Sequence, residues 1–339
     1  MKQLFVVHTQ YNLILAIGIA QRGIDELILF QDFDITKELR LKIKKLFGRC
    51  LFLSGSYPKR DLTAKEKLEK ISKDNRKIDQ FINVQYDRIF IVEDMCIQEM
   101  YSMKCVYRKN RDIEMAWLED GANAYFSNSH ISKGMGSTPL RRLIRKLFFT
   151  VRYSLYGFYN LGPCMGSHFR LRSVYVCFPD YVRKELQEKE HVEITNEQLI
   201  RGMQIMYQND PSIIDEGSLL IAMDLLSVYG DDIYRVNTEI AKIVSKANEE
   251  GKKVYCKYHP RETEKLPALS KAECLDSRIA IESYLINTTA KHLTVVGCKS
   301  TAIQVAKKMG YQVISFVRLV DKDYENILVF YRGIGIECT

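Results

Sequence analysis

Short runs of branched and aromatic residues recur along this chain, and each is followed by a stretch with helical spacing. "QLFVV" (Gln3 to Val7) reads as a buried strand, "HTQYNLILAIGIAQRG" as a turn and an apolar helix ending at Gly23, and "ELILF" (Glu26 to Phe30) as the next strand. The charged stretch "LTAKEKLEKISKDNRKIDQFINVQ" carries Leu68, Ile71, Ile78 and Phe81 at roughly helical spacing. "RIFIV" (Arg88 to Val92) reads as a strand, "MCIQEMYSMKCVYRK" as a helix and "IEMAWL" (Ile113 to Leu118) as a strand. Strands that are apolar on both faces, alternating with helices, predict a parallel sheet covered on both sides.

The alternation lapses where Gly, Pro and Ser collect in "SKGMGSTP" and "NLGPCMGS", and resumes at "SVYVCF" (Ser173 to Phe178). "SLLIAM", "KVYCKY", "HLTVVG" and "YQVISF" follow as strands. "DIYRVNTEIAKIVSKANEEG" and "STAIQVAKKMG" follow as helices, both closing on a glycine. At 339 residues the chain is too long for one ordinary core. The reading is an α/β protein of two Rossmann-like halves, 1–155 and 156–339, facing each other across a cleft.

Several function classes are excluded. No apolar run reaches the roughly 18–20 residues of a membrane span. "MKQLFVVHTQYN" is too short and, after Val7, too polar for a signal peptide, so a cytoplasmic location is expected. The nine cysteines are scattered, without CxxC or Cys/His metal spacing, and read as reduced thiols. No recognition-helix or RNA-binding motif is present, so nucleic acid is not an expected partner. The net charge of +8 is localised: from Gly121 to Pro179 there is no Asp or Glu, and that segment holds eight cations. The remaining charges balance, so something anionic is expected to face this segment.

In open α/β sheets ligands sit beyond the carboxyl ends of the strands. Three stretches occupy such positions: Glu119, Asp120 and Gly121; His259 and Pro260; and "GCKST", which places Ser300 and Thr301 at the start of a helix. Taken singly, these are a turn, a loop and a helix cap. Taken together they supply an acid, an imidazole and hydroxyls, and they suit glycosyl transfer from a nucleotide sugar. A carboxylate can take the proton of an attacking hydroxyl. An imidazole, with an unperturbed pKa of about 6.5, can donate to a departing phosphate. Hydroxyls and free N–H groups at a helix start can hold that phosphate. Pro260 pushes His259 out of the helical region and so keeps the ring at the strand end. At the end of the first strand Gln10 and Asn12 are placed to hydrogen-bond a sugar. No metal cluster is evident. "DFD", with Asp32 and Asp34, is the nearest approach to a metal-binding DxD.

"LEDG", "KYHPRE" and "KST", in this order, resemble the three short motifs of bacterial sialyltransferases of the lipooligosaccharide, capsular and polysialyltransferase type. The resemblance lies in these motifs and their placement; Ser-Thr in the third is a variant that the pattern permits. It implies a GT-B architecture, with the acceptor held mainly by the first domain and CMP mainly by the second. It implies inverting transfer from CMP-sialic acid to a glycan acceptor, such as a galactose-terminated surface polysaccharide or lipopolysaccharide, without metal or other cofactor. By that resemblance Glu119 is the base, with Asp120 beside it. Lys257, His259, Pro260, Ser300 and Thr301 fall on the CMP side. Glu282, in "IAIESYLI", stands where related folds carry a helix-borne carboxylate that contacts the ribose.

Two other readings stand beside this one. The first is a transferase for another CMP-activated acid sugar such as Kdo, or a GT-B epimerase. The second is a non-catalytic basic protein docking on a polyanion or membrane. "PLRRLIRKLFFTVRYSLYGFY" sets Arg141, Arg142, Arg145, Lys146 and Arg152 among leucines and aromatic residues. Such a segment suits the face of an anionic membrane, so 141–156 is expected to attach there peripherally, unless it is a linker helix packed in a core. Homo-oligomer formation is left open by the sequence.

Overall fold

Every strand pair among the described residues is parallel, so each of these strands must be followed by a crossover that returns the chain to the same edge of its sheet. The structure is a computed structural model that describes residues 1–55, 62–126, 139–160, 162, 164–207, 214–320 and 325–339, without the side chains of 139, 141 and 142. The chain divides into two compact units, Met1–Gly202 and Met203–Thr339.

The first unit contains β1 (Gln3–Val7), β2 (Glu26–Gln31), β3 (Arg49–Ser54), β4 (Arg88–Ile91), β5 (Glu114–Leu118), β6 (Ser173–Val176) and β7 (Glu190–Glu193), in the spatial order β3-β2-β1-β4-β5-β6-β7. Its helices are α1 (Gln10–Ile19), α2 (Lys37–Leu46), α3 (Ala64–Phe81), α4 (Ile97–Lys109) and α5 (Pro139–Tyr153), and α6 (Asn196–Tyr207) begins within it. All five β1 residues are buried, as its unbroken apolar run implies, and Phe5 stacks on Phe90 of the neighbouring β4 at 4.6 Å. α1 is buried almost along its length, and its approach to α6 is close. A Cβ on Gly18 would lie 2.1 Å from the Gln198 carbonyl oxygen, and one on Gly202 would lie 2.1 Å from that of Ile14.

The second unit contains β8 (Leu219–Ala222), β9 (Val254–Lys257), β10 (Glu273–Cys274), β11 (Thr294–Gly297), β12 (Gln312–Ser315) and β13 (Glu337–Cys338), ordered β10-β9-β8-β11-β12-β13. Its helices include α7 (Ile233–Glu249), α8 (Ile281–Asn287), α9 (Thr301–Lys308) and α10 (Glu325–Gly333). In both sheets the strand order reverses beside the first strand, at β1/β4 and at β8/β11. Such reversals are where doubly wound sheets open a crevice at their carboxyl edge.

The division at residue 155 expected from the sequence is corrected. β6 pairs with β5 through Ala116↔Ser173, and β7 pairs with β6, so "SVYVCF" extends the first sheet instead of opening the second. The break falls after Gly202, within α6. The lapse in alternation holds the helix α5. Residues 127–138, including Lys133 and "SKGMGSTP", lie outside the described residues. No helix among the described residues is long and apolar enough to cross a membrane.

Candidate active site

In the first unit the loops after β1, β5 and β6 meet around Glu119. Its side chain is buried, at 1% exposure, and its carboxylate is surrounded by donors. The hydroxyl of Tyr11 donates to Oε1, the hydroxyl of Tyr125 donates to Oε2, and the Cys177 backbone N–H donates to Oε2 at 2.6 Å. Burial pushes the Glu119 carboxyl above its usual range, and the tyrosine and Cys177 hydrogen bonds pull it part of the way back. Asp120 is half-buried and more open. Its oxygens take Asn12 Nδ2 at 3.4 Å and Asn123 Nδ2 at 3.2 Å.

Asn12 was expected to face a sugar, and the structure gives it another position. It is fully buried and closes a capping box with Thr9 at the start of α1. Its amide reaches the Glu119 carbonyl at 3.3 Å as well as Asp120, so it ties the β1 loop to the acidic pair. Gln10, two residues earlier, is half-buried on the first turn of α1. Tyr11 and Tyr125 were not singled out from the sequence. Tyr11 stands in "HTQYN" between Gln10 and Asn12, the two polar residues at the end of the first strand, which is the sequence signal for it.

Asp32, from the DxD-like stretch, turns to His8, whose Nδ1 lies 3.1 Å from Oδ2, while Nε2 lies 2.6 Å from Glu99 Oε1. Burial opposes charge on this ring, but the Asp32 and Glu99 hydrogen bonds outweigh it and raise the pKa to about 10. Asp34 is exposed. His8, Glu93 and Cys96 bring potential metal-ligating atoms within 4.8 Å of one another, a grouping that the sequence spacing does not reveal.

In the second unit β9 and β11 flank β8, so the loops after all three lie side by side. His259 is half-buried after β9. Its Nδ1 accepts the Arg261 backbone N–H at 3.2 Å, which leaves the proton of the neutral ring on Nε2. Burial, with Arg261 and Lys257 nearby, holds the pKa of His259 below its ordinary value. Pro260 is exposed. Lys257 is buried, and its ammonium donates to the carbonyls of Tyr258 at 3.3 Å and Ser277 at 3.2 Å. Burial lowers its pKa, while Glu282 and Asp276 act in the other direction. Glu282 sits in the first turn of α8, and burial raises its carboxyl.

Ser300 is the N-cap of α9, yet its hydroxyl makes no cap hydrogen bond. Thr301 is the first residue of that helix. Gly297 allows the close turn between β11 and α9: a Cβ there would lie 2.7 Å from the Ile303 side chain. The structure thus brings Lys257, His259, Ser300 and Thr301 to one edge of one sheet, as their positions in the sequence implied.

Comparison with known proteins agrees with the fold. The chain is similar to the UDP-GlcNAc 2-epimerase from Methanocaldococcus jannaschii, with 10% identity, 100% of this chain and 89% of that one covered, and a TM-score of 0.58. It is similar to an alpha/beta-galactoside alpha-2,3-sialyltransferase from Photobacterium phosphoreum, with 12% identity, 99% and 98% covered, and a TM-score of 0.52. It is also similar to the glycotransferase of kitacinnamycin, with 9% identity, 100% and 86% covered, and a TM-score of 0.54. At such identities the likeness establishes the fold, an α/β architecture of two parallel-sheet domains shared with GT-B glycosyltransferases. No curated protein matches the sequence. The family described as Alpha-2,8-polysialyltransferase (POLYST) matches residues 23–318. With so much of the chain matched, this protein is a glycosyltransferase and belongs to the alpha-2,8-polysialyltransferase family.

Proposed function

We propose that this protein transfers sialic acid from CMP-sialic acid to a glycan hydroxyl with inversion at the anomeric carbon. The observation that carries this reading is the placement, in a chain of the polysialyltransferase family, of an acid after β5, an imidazole after β9 and hydroxyls after β11. In this mechanism Glu119 takes the proton of the acceptor hydroxyl as the new C–O bond forms and CMP departs. Its raised pKa suits a base that works near neutral pH. Asp120 and Gln10 are the more open groups beside it and orient the acceptor. His259 donates its Nε2–H to the phosphate, and Ser300 and Thr301 hold the phosphate at the start of α9. Lys257 places a buried positive charge behind that loop, and Glu282 takes the ribose. The family description favours an acceptor that already ends in sialic acid over one that ends in galactose. No step calls for a metal. The exposed apolar stripe of α5, with its arginines, rests on an anionic membrane surface.

Incubation with CMP-sialic acid and a panel of galactosides and sialosides, with products read by mass, tests the reading. A product larger than an acceptor by one or more sialyl residues, formed equally in excess EDTA, is the expected result. Transfer from CMP-Kdo but not from CMP-sialic acid would replace the sugar. No transfer from either donor would overturn the assignment.

A further inference from the structure

At the reversal of the second sheet, two polar atoms withdrawn from solvent have no hydrogen-bond partner among the described residues: Asp224 Oδ2 and Ser300 Oγ. Asp224 follows β8 and Ser300 follows β11, and these strands are neighbours paired through Val296↔Ile221. Continuing that register sets Lys299 beside Asp224, and the Lys299 backbone N–H hydrogen-bonds the Asp224 carboxylate. A buried polar atom left open costs stability, so two of them at the carboxyl ends of neighbouring strands call for a ligand that satisfies both.

We propose that Asp224, in its carboxylic-acid form, donates its O–H to a phosphoryl oxygen of the donor nucleotide beside the Ser300 hydroxyl. The inference rests on the CMP-sugar reading and adds to it a second contact to the phosphate, from a residue outside the three motifs. An ionised carboxylate would repel an anion at this place, whereas the acid form attracts it. Burial pushes the Asp224 carboxyl up to about 6, against the opposing pull of Lys299 and Tyr229. The Tyr229 hydroxyl also accepts the Asp224 backbone N–H at 3.2 Å. The other groups within electrostatic reach of this cluster are Cys298, next to Lys299, and Tyr331 on α10, whose hydroxyl burial pushes well above its ordinary pKa. A bound phosphate would raise the Asp224 pKa further, because like charges disfavour ionisation.

The experiment measures the Kd of CMP and of cytidine between pH 5.5 and 8 for the wild type, Asp224→Asn and Asp224→Ala. Comparing proteins at each pH cancels the titration of the phosphate and of His259. The amide of Asp224→Asn donates a hydrogen bond at every pH. Its affinity for CMP is therefore expected to match the wild type at pH 5.5 and to exceed it by about tenfold at pH 8, where the wild-type carboxyl is ionised. Asp224→Ala is expected to bind CMP about tenfold more weakly than the wild type at pH 5.5. Cytidine, which lacks the phosphate, is expected to bind all three proteins alike. A ratio of wild-type to Asp224→Asn affinity that stays constant with pH overturns the inference, as does the same pattern with cytidine. If the wild type binds UMP and not CMP, the donor reading itself fails, and the two failures are distinguished.

Discussion

Glu119 and Asp120 are adjacent in the chain and unlike in surroundings. Glu119 is enclosed by two tyrosine hydroxyls and a backbone N–H, and Asp120 is half-open to solvent. Glu119→Gln is expected to lower kcat by about 10²–10⁴ while CMP binding survives, with Asp120→Asn remaining within a few-fold of wild type. The reverse outcome moves the base to Asp120, and two active variants would refute a carboxylate base. Because the Glu119 pKa is raised, the acid limb of kcat/KM is expected above the usual carboxylate value of about 4.3, with activity lost as pH falls through it. His8 supplies a separate titration. Its pKa, raised from 6.5 to about 10, means that its contribution to stability is complete below 6.5 and is lost as pH rises through about 10. The melting temperature of the wild type is expected to fall as pH rises from about 6.5 to about 10, and His8→Gln to show a flatter profile with a lower neutral-pH value. Parallel profiles would show that the Asp32–His8–Glu99 contacts do not stabilise the fold.

At the scale of elements, α1 carries Tyr11 and Asn12 at its first turn, so its seating decides where the Glu119 shell lies. That seating depends on two glycines, because α1 and α6 approach backbone to backbone at Gly18 and Gly202. Gly202→Ala puts a methyl group against the Ile14 carbonyl and is expected to cost about 2 kcal/mol or more. Differential scanning calorimetry should show this as a drop of about 5 °C in the melting of the first unit. An unchanged melting point would mean that the helices separate without penalty. The α1 helix was readable from its apolar run, but it closes on Ala20 and not on the expected Gly23, and its crossing partner was not readable. β7, with the sequence Glu190-His191-Val192-Glu193, has no apolar pattern and is a strand because its backbone pairs with β6 at the sheet edge.

For the molecule as a whole, the exposed surface that matters is that of α5. Leu140, Leu143, Ile144, Leu147 and Val151 are each more than half exposed, and helical spacing puts them on one stripe, with Arg145 and Arg152 alongside. The core-packed alternative for this helix does not fit such exposure, while Arg141 and Arg142, part of the same expectation, lie outside the described side chains. Co-sedimentation with anionic vesicles is expected for the wild type, weakened by high salt. It is also expected to be reduced in the triple change of Arg145, Lys146 and Arg152 to Gln, since each cation near an anionic leaflet adds about 1 kcal/mol. Equal and negligible pelleting of both proteins would sink membrane attachment.

The order of strands and helices, the parallel sheets and the strand-end positions of Glu119, His259 and Ser300 were determined by the sequence itself. Strand runs, helical periods and closing glycines are local, and carboxyl-edge placement follows from them. The extent of each unit, the burial of Glu119, the role of Asn12 and the open atoms of Asp224 and Ser300 were decided by the tertiary structure. Each depends on contacts between segments far apart in the chain: Ser173 beside Ala116, Tyr11 and Cys177 on Glu119, Asn12 under the acidic pair, Lys299 against Asp224. Spacing along a chain carries no record of such meetings. A polar side chain at a strand end reads alike whether it faces a ligand or is closed off by its neighbours, because only packing excludes the water.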